Sequence, residues 1–155
     1  MISSTYRNRI NAWKEAGQTI VFTNGCFDLL HPGHIDSLEK CRSFGDRLVV
    51  GLNSDASVKI LKGVDRPIMD AHSRKRCLDA LTCVDMVIIF EDDNPEALIK
   101  EVLPDILAKG SDYDLSNIMG TDIVLRNGGK VEQISLVPGY STTEIINKIR
   151  KQIDK

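Results

Sequence analysis

Ile20-Val21-Phe22-Thr23-Asn24-Gly25-Cys26-Phe27-Asp28-Leu29-Leu30-His31-Pro32-Gly33-His34 reads as a strand, a turn and a helix start in one continuous run. Ile20, Val21 and Phe22 are strand-forming, Asn24-Gly25 is a turn dipeptide, and Ile35, Leu38 and Cys41 fall on one helical face. Pro32 suits the first helical position, where its missing N–H has no intrahelical partner to lose. Gly33 leaves the backbone open to a bulky anion, and the unpaired N–H groups of the first turn favour negative charge. His31 and His34, three residues apart, fall on one side of that turn. There they can donate hydrogen bonds to phosphate oxygens as negative charge builds. Their protonation state stays open at this point. A helix N-terminus disfavours a cationic ring, whereas a bound triphosphate favours it.

Outward from this run, strand and helix patterns alternate. Residues 5–17 form a helix with Tyr6, Ile10 and Trp13 on one face, stopping at Gly17. That face can pack on its own domain or join a second subunit, so a homo-oligomer is possible. Strands are expected at 19–23, 47–52, 84–90, 105–109 and 131–137. Helices are expected at 32–44, after Asn53-Ser54-Asp55, at 70–81 with Asp70 as cap, after Asn94-Pro95-Glu96, at 117–127, and from Ser141 or Thr142 onward. Such alternation implies an α/β fold, a doubly wound parallel sheet with right-handed crossovers. A single domain over residues 1–155 is expected, with 1–18 as an N-terminal helical extension. Ligands of such sheets bind beyond the carboxyl ends of the strands, where strand order reverses. The loops after residues 24, 52, 90, 109 and 137 therefore share one rim.

Composition narrows the function classes. A net charge of −2 over 155 residues gives no general attraction to nucleic acid or to an anionic membrane. No apolar run approaches the roughly 20 residues of a membrane span, and no signal segment opens the chain. Cys26, Cys41, Cys77 and Cys83 form no C-x-x-C pair, which suits reduced thiols in the cytoplasm. With only three histidines, two of them beside the helix start, no protein-built metal site is expected. The P-loop pattern is absent, and the first strand–helix turn lacks G-x-G-x-x-G, which disfavours P-loop NTPases and NAD enzymes.

Other rim residues carry readings of their own. Asn53-Ser54-Asp55 suits an N-cap. Lys59, Lys62, Arg66 and Arg74-Lys75-Arg76 form a charge run, and such runs are usually solvated faces. Gly110, in Lys109-Gly110-Ser111-Asp112-Tyr113, can let a nucleobase lie against the backbone. Ser141-Thr142-Thr143-Glu144 is similar to a capping box, and its N–H groups and hydroxyls can hold β- and γ-phosphates. His72 has no comparable setting.

His31-x-Gly33-His34 after a first strand, combined with the Ser141-Thr142-Thr143 helix start, resembles the nucleotidyltransferase superfamily of cytidylyltransferases and adenylyltransferases. The likeness covers about residues 19–150 and implies a Rossmann-like fold. Thr23 to Asp28, Asn53 to Ser57, Leu61-Lys62-Gly63, Arg66-Pro67, Lys109 to Tyr113 and Asn127-Gly128-Gly129 are similar to the branch that adenylylates D-glycero-β-D-manno-heptose 1-phosphate. That branch transfers AMP from ATP and yields ADP-heptose and pyrophosphate for lipopolysaccharide core or surface glycan synthesis. Glycerol 3-phosphate cytidylyltransferases are the nearest rival. They carry an Arg-Thr pair where this chain has Val137-Pro138-Gly139-Tyr140, a departure that favours ATP. Two other classes compete: a nucleotide-binding protein without catalysis, and a fragment of an aminoacyl-tRNA synthetase. The former has no use for two histidines plus cations, and the latter is poorly matched by the acidic balance.

The resemblance implies roles. His31 and His34 would meet the α- and β-phosphates, with Lys62 and Arg66 on the leaving pyrophosphate. Arg74 would add a phosphate contact, and Asn24, Gly25, Cys26 and Phe27 would line the nucleotide cleft with Gly33 and Gly110. Ser141, Thr142 and Thr143 would anchor the triphosphate tail, and Asp28, Asn53 and Asp112 would position the acceptor. Mg²⁺ would accompany ATP, held mainly by phosphates and water.

Overall fold

The computed structural model describes residues 2–110, 118–135 and 137–153. Five strands, β1 (Ile20–Gly25), β2 (Arg47–Asn53), β3 (Met86–Phe90), β4 (Ile106–Gly110) and β5 (Lys130–Ile134), form one sheet in the order β3-β2-β1-β4-β5. All four pairings are parallel. Between them run α1 (Ser4–Glu15), α2 (Pro32–Ser43), α3 (Asp55–Lys62), α4 (Ala71–Asp79), α5 (Glu96–Val102), α6 (Thr121–Arg126) and α7 (Thr142–Ile153).

Alternate residues of each strand feed opposite faces, as the two-residue period of a strand requires. Ile20 and Phe22 join Ile88, Ile99, Leu107 and Val124 on one face, with Ile10 and Trp13 of α1. Val21 joins Val50, Leu52, Val87 and Ile106 on the other, under Leu38 and Cys41 of α2 and Leu78 of α4. The α1 face thus packs on its own sheet.

Two elements differ from expectation by three residues or more at one end. The last strand stops at Ile134, which pairs with Gly110, instead of at 137. The helix expected at 117–127 is reduced to Thr121–Arg126, preceded by Gly120 in the left-handed region at φ 89°, a conformation that cannot propagate a right-handed helix.

Chain order reverses between β1 and β4, the two strands where successive connections leave in opposite directions. The two strands pair only at Val21↔Ile106 and Phe22↔Leu107, although β1 stays paired to β2 as far as Gly25↔Leu52. The sheet is therefore split at its carboxyl edge at this point.

Candidate active site

Beyond the split, β1 enters a turn in which Phe27 (φ 46°) and Leu29 (φ 54°) are both left-handed without being glycine. Such residues cost on the order of 1–2 kcal/mol each and persist where the surroundings hold them. Here the holder is Asp28, between them. Its carboxylate, with a side chain 0% exposed, accepts from Arg66 Nε at 2.7 Å. It also accepts from the backbone N–H groups of Ile68 at 2.8 Å and Met69 at 3.0 Å. Burial alone raises the Asp28 carboxyl, but the two backbone donors and the Arg66 guanidinium outweigh it and hold the group below its ordinary range.

The turn ends at His31, which is the N-cap of α2. Its Nδ1 accepts from the backbone N–H of His34 at 3.3 Å, so the ring proton belongs on Nε2. His31 and His34 stack with ring centroids 3.7 Å apart and planes 17° from parallel, and Phe27 lies 5.4 Å from His34. Burial lowers both imidazoles. For His34 the neighbouring His31 adds to the effect and Asp28 opposes it, and the value falls to about 4. Burial thus favours the neutral form of both rings at pH 7. His34 Nδ1 is buried without a hydrogen-bond partner among the described residues.

The tip of α7 closes on this pair. Thr142 Oγ1 donates to the backbone carbonyl of Asp28 at 2.6 Å, and the Tyr140 ring stands 6.4 Å from His31, 20° from parallel. Ser141 Oγ accepts from Glu144 N at 3.1 Å and caps the helix. Thr143 is exposed on the first turn. A Cβ on Gly33 would lie 3.0 Å from Tyr140 Cβ and 3.2 Å from the His31 ring. A side chain at Gly33 would therefore crowd Tyr140 and His31, so the position requires glycine.

The basic residues divide. Lys62, at the exposed end of α3, acts electrostatically on Cys26 together with Arg74 and Arg66; burial raises that thiol and these cations oppose the rise. Arg66 leads a strap, residues 66–69, that Asp28 holds down. Arg74, expected at a phosphate, is instead an internal brace, with its side chain 0% exposed. It donates to Cys26 O at 2.6 Å, Met69 O at 3.0 Å and Asp55 Oδ1 at 2.7 Å. Asn53, expected to position the acceptor, is buried and donates to Ser57 Oγ at 2.9 Å beneath α3. Ser54 caps that helix. Gly110 ends β4 at the split edge, and Asp112 lies outside the described residues. The sequence reading gave no role to Tyr140 or to Lys109, whose ammonium reaches Asn24. Only a strand-end position beside Gly110 marks Lys109 in the sequence.

Among the described residues no group of three or more His, Cys, Asp or Glu is placed to hold a metal, and no helix is long and apolar enough to cross a membrane. The four cysteines are free.

Comparison with known proteins agrees with this geometry. The family model for Cytidylyltransferase-like proteins matches residues 22–148. A Mesorhizobium japonicum protein named Bifunctional protein HldE is 52% identical over 148 residues, covering 96% of this chain and 30% of that protein. The protein of the same name from Geotalea uraniireducens is 52% identical over 141 residues, 91% of this chain and 29% of that one. The chain thus spans about 30% of the length of these relatives. The crystal structure titled as the lipopolysaccharide core biosynthesis protein of Thermoplasma volcanium superposes with a TM-score of 0.66 at 29% identity, covering 78% of this chain and 98% of that one. Pantoate-beta-alanine ligase of Francisella tularensis shares the fold, with a TM-score of 0.55 at 15% identity over 96% of this chain and 77% of that one. With a parallel sheet split beneath paired histidines and a family match over most of its length, the chain belongs to the Cytidylyltransferase-like family.

Proposed function

We propose that the chain is a nucleotidyltransferase that moves AMP from ATP to a sugar 1-phosphate, D-glycero-β-D-manno-heptose 1-phosphate, and releases ADP-heptose and pyrophosphate. The observation that carries the reading is the meeting of two helix tips at one place. The stacked His31–His34 pair opens α2, and the N-terminus of α7 is bonded to the same turn through Thr142. The heptose assignment draws support from the segments that resemble heptose 1-phosphate adenylyltransferases. It also draws on the relatives being named Bifunctional protein HldE and on the structural neighbour being a lipopolysaccharide core biosynthesis protein.

In this reading a phosphate oxygen of the sugar 1-phosphate, already ionised at neutral pH, attacks the α-phosphorus of ATP in line with the departing pyrophosphate. Catalysis then rests on positioning and charge stabilisation, with no strong general base. We assign neutral His31 and His34 to donate through Nε2–H to the α- and β-phosphate oxygens. Lys62 and Arg66 take up charge on the pyrophosphate, and Asn24 to Phe27 with Gly110 line the nucleotide cleft. The N-terminal N–H groups of α7, with Thr142 and Thr143, hold the triphosphate tail. Asp28 acts indirectly, by holding Arg66 and the strap. Mg²⁺ arrives with ATP as part of the substrate, held by phosphates and water. Four free thiols support a cytoplasmic location for such an ATP-dependent enzyme.

The test is a pyrophosphate-release screen crossing ATP and CTP with heptose 1-phosphate, glycerol 3-phosphate and other phosphorylated acceptors. Release with ATP and heptose 1-phosphate is expected. ATP binding with no release for any acceptor would overturn the enzymatic reading, and preference for CTP with glycerol 3-phosphate would overturn the substrate assignment.

A further inference from the structure

We propose that Lys109 is a positioning residue for this reaction, spanning the split between β1 and β4 and fixing the side-chain amide of Asn24 with its nitrogen turned toward the ligand. The inference rests on the function proposed above and adds a residue and a role to it.

Pairing of β1 with β4 ends at Phe22↔Leu107, whereas β4 keeps its pairing with β5 to Gly110↔Ile134. The two central strands therefore part at the place where the strand order reverses and the ligand cleft opens. Carrying the β1–β4 register two residues further sets Lys109 opposite Asn24. The Lys109 ammonium crosses the gap, donating to Asn24 Oδ1 at 2.8 Å and to the Asn24 backbone carbonyl at 3.3 Å. One contact holds the two lips of the split together, and the other orients a side chain.

The orientation follows from hydrogen-bonding capacity. An ammonium has donors only, so the amide must present its oxygen to Lys109, and its NH₂ group points the other way. Without the cation the amide is free to rotate by a half-turn and present an acceptor to a polyanion. A fixed pair of N–H donors at the mouth of the cleft suits phosphate or ribose oxygens, and a positive charge behind them strengthens both donors. Lys109 acts through Asn24.

The experiment uses the full chain and the variants Lys109→Met, Lys109→Arg, Asn24→Ala and the double variant Lys109→Met/Asn24→Ala. Their readouts are kcat/KM for pyrophosphate release, melting temperature, and the side-chain amide signal of Asn24 in ¹⁵N–¹H spectra. Lys109→Met is expected to lower kcat/KM about 10- to 100-fold, the size of effect that misplacement of a contacting group gives. Lys109→Arg should recover most of the loss, and the double variant should be no worse than Asn24→Ala. Independent, multiplying effects would overturn the proposal, as would a lowered melting temperature with unchanged kcat/KM. If the wild-type chain releases no pyrophosphate with any acceptor, the functional reading fails first. The amide signal still decides the positioning: a shift in Lys109→Met that Lys109→Arg reverses upholds it, and an unmoved signal overturns it. Should Lys109→Met fail to fold, Lys109→Gln replaces it in the same cycle.

Discussion

At His34 the fold sets the protonation state before any ligand arrives. Burial, helped by His31 and opposed by Asp28, lowers the imidazole from 6.5 to about 4. Between those values the unfolded chain binds a proton that the folded chain refuses. Stability from this residue is complete above about pH 6.5 and falls as pH drops toward 4, by about 3 kcal/mol at 1.36 kcal/mol per unit. Asp28 loses stability in the same direction but lower down, because its lowered carboxyl contributes fully above its unfolded value of 3.8 and is lost only as pH falls below that. The two windows therefore separate. Urea unfolding at pH 7 and pH 4.5 should show a loss in the wild-type chain that His34→Gln largely removes. An identical loss in the variant contradicts the burial argument. For turnover, His34→Ala should reduce pyrophosphate release by about 10²–10³-fold, the usual effect of removing one transition-state donor. An unchanged rate takes this ring out of the chemistry.

Among the elements, the strap, which Arg74 also bonds at Met69 O, and the α7 tip both bond to Asp28. Its carboxylate takes Arg66, Ile68 and Met69, and its carbonyl takes Thr142. Removing one partner of a buried ion pair leaves the other charge unpaired, so Asp28→Ala should cost about 3–5 kcal/mol in urea unfolding; a cost under 1 kcal/mol means the strap does not depend on it. The helix α7 has no buried residue, and its exposed Arg150–Asp65 pair at 3.9 Å contributes little. The Thr142 hydroxyl therefore matters out of proportion. Thr142→Val should lower stability by about 1 kcal/mol and speed hydrogen exchange at the first turn of α7. Unaltered exchange there shows that other contacts seat the tip.

These elements also show what the sequence could and could not disclose. The start of α2 was legible because its signals are local: Pro32 at the first position and helical spacing behind it. The strap was not, since the donors that fix Asp28 lie 40 and 41 residues away. Arg74 and Asn53 were read as ligand contacts because a charge or an amide in a sequence says nothing about its burial. The packing at Gly33 was hidden for a related reason, since its neighbour Tyr140 comes from the far end of the chain.

At the scale of the whole molecule, the sheet brings together segments distant in sequence by reversing its order between β1 and β4. That reversal opens the cleft, and the helix starts of α2, on the β1–β2 crossover, and of α7, after the last strand, approach it. Alternation of strand and helix patterns was enough to read the doubly wound sheet in advance, whereas the family was legible only through His31-x-Gly33-His34 and the Ser141-Thr142-Thr143 helix start. The identity of the acceptor was not contained in that alternation. It rests on short segments at the rim. The most direct measurement gives the chain unlabelled ATP and heptose 1-phosphate carrying ¹⁸O in its phosphate, with mass analysis of both products. The account predicts a nucleotide sugar that retains the label, including the oxygen bridging its two phosphates, and pyrophosphate without label. Labelled pyrophosphate, or no nucleotide sugar at all, contradicts attack by the acceptor phosphate on the α-phosphorus at this site.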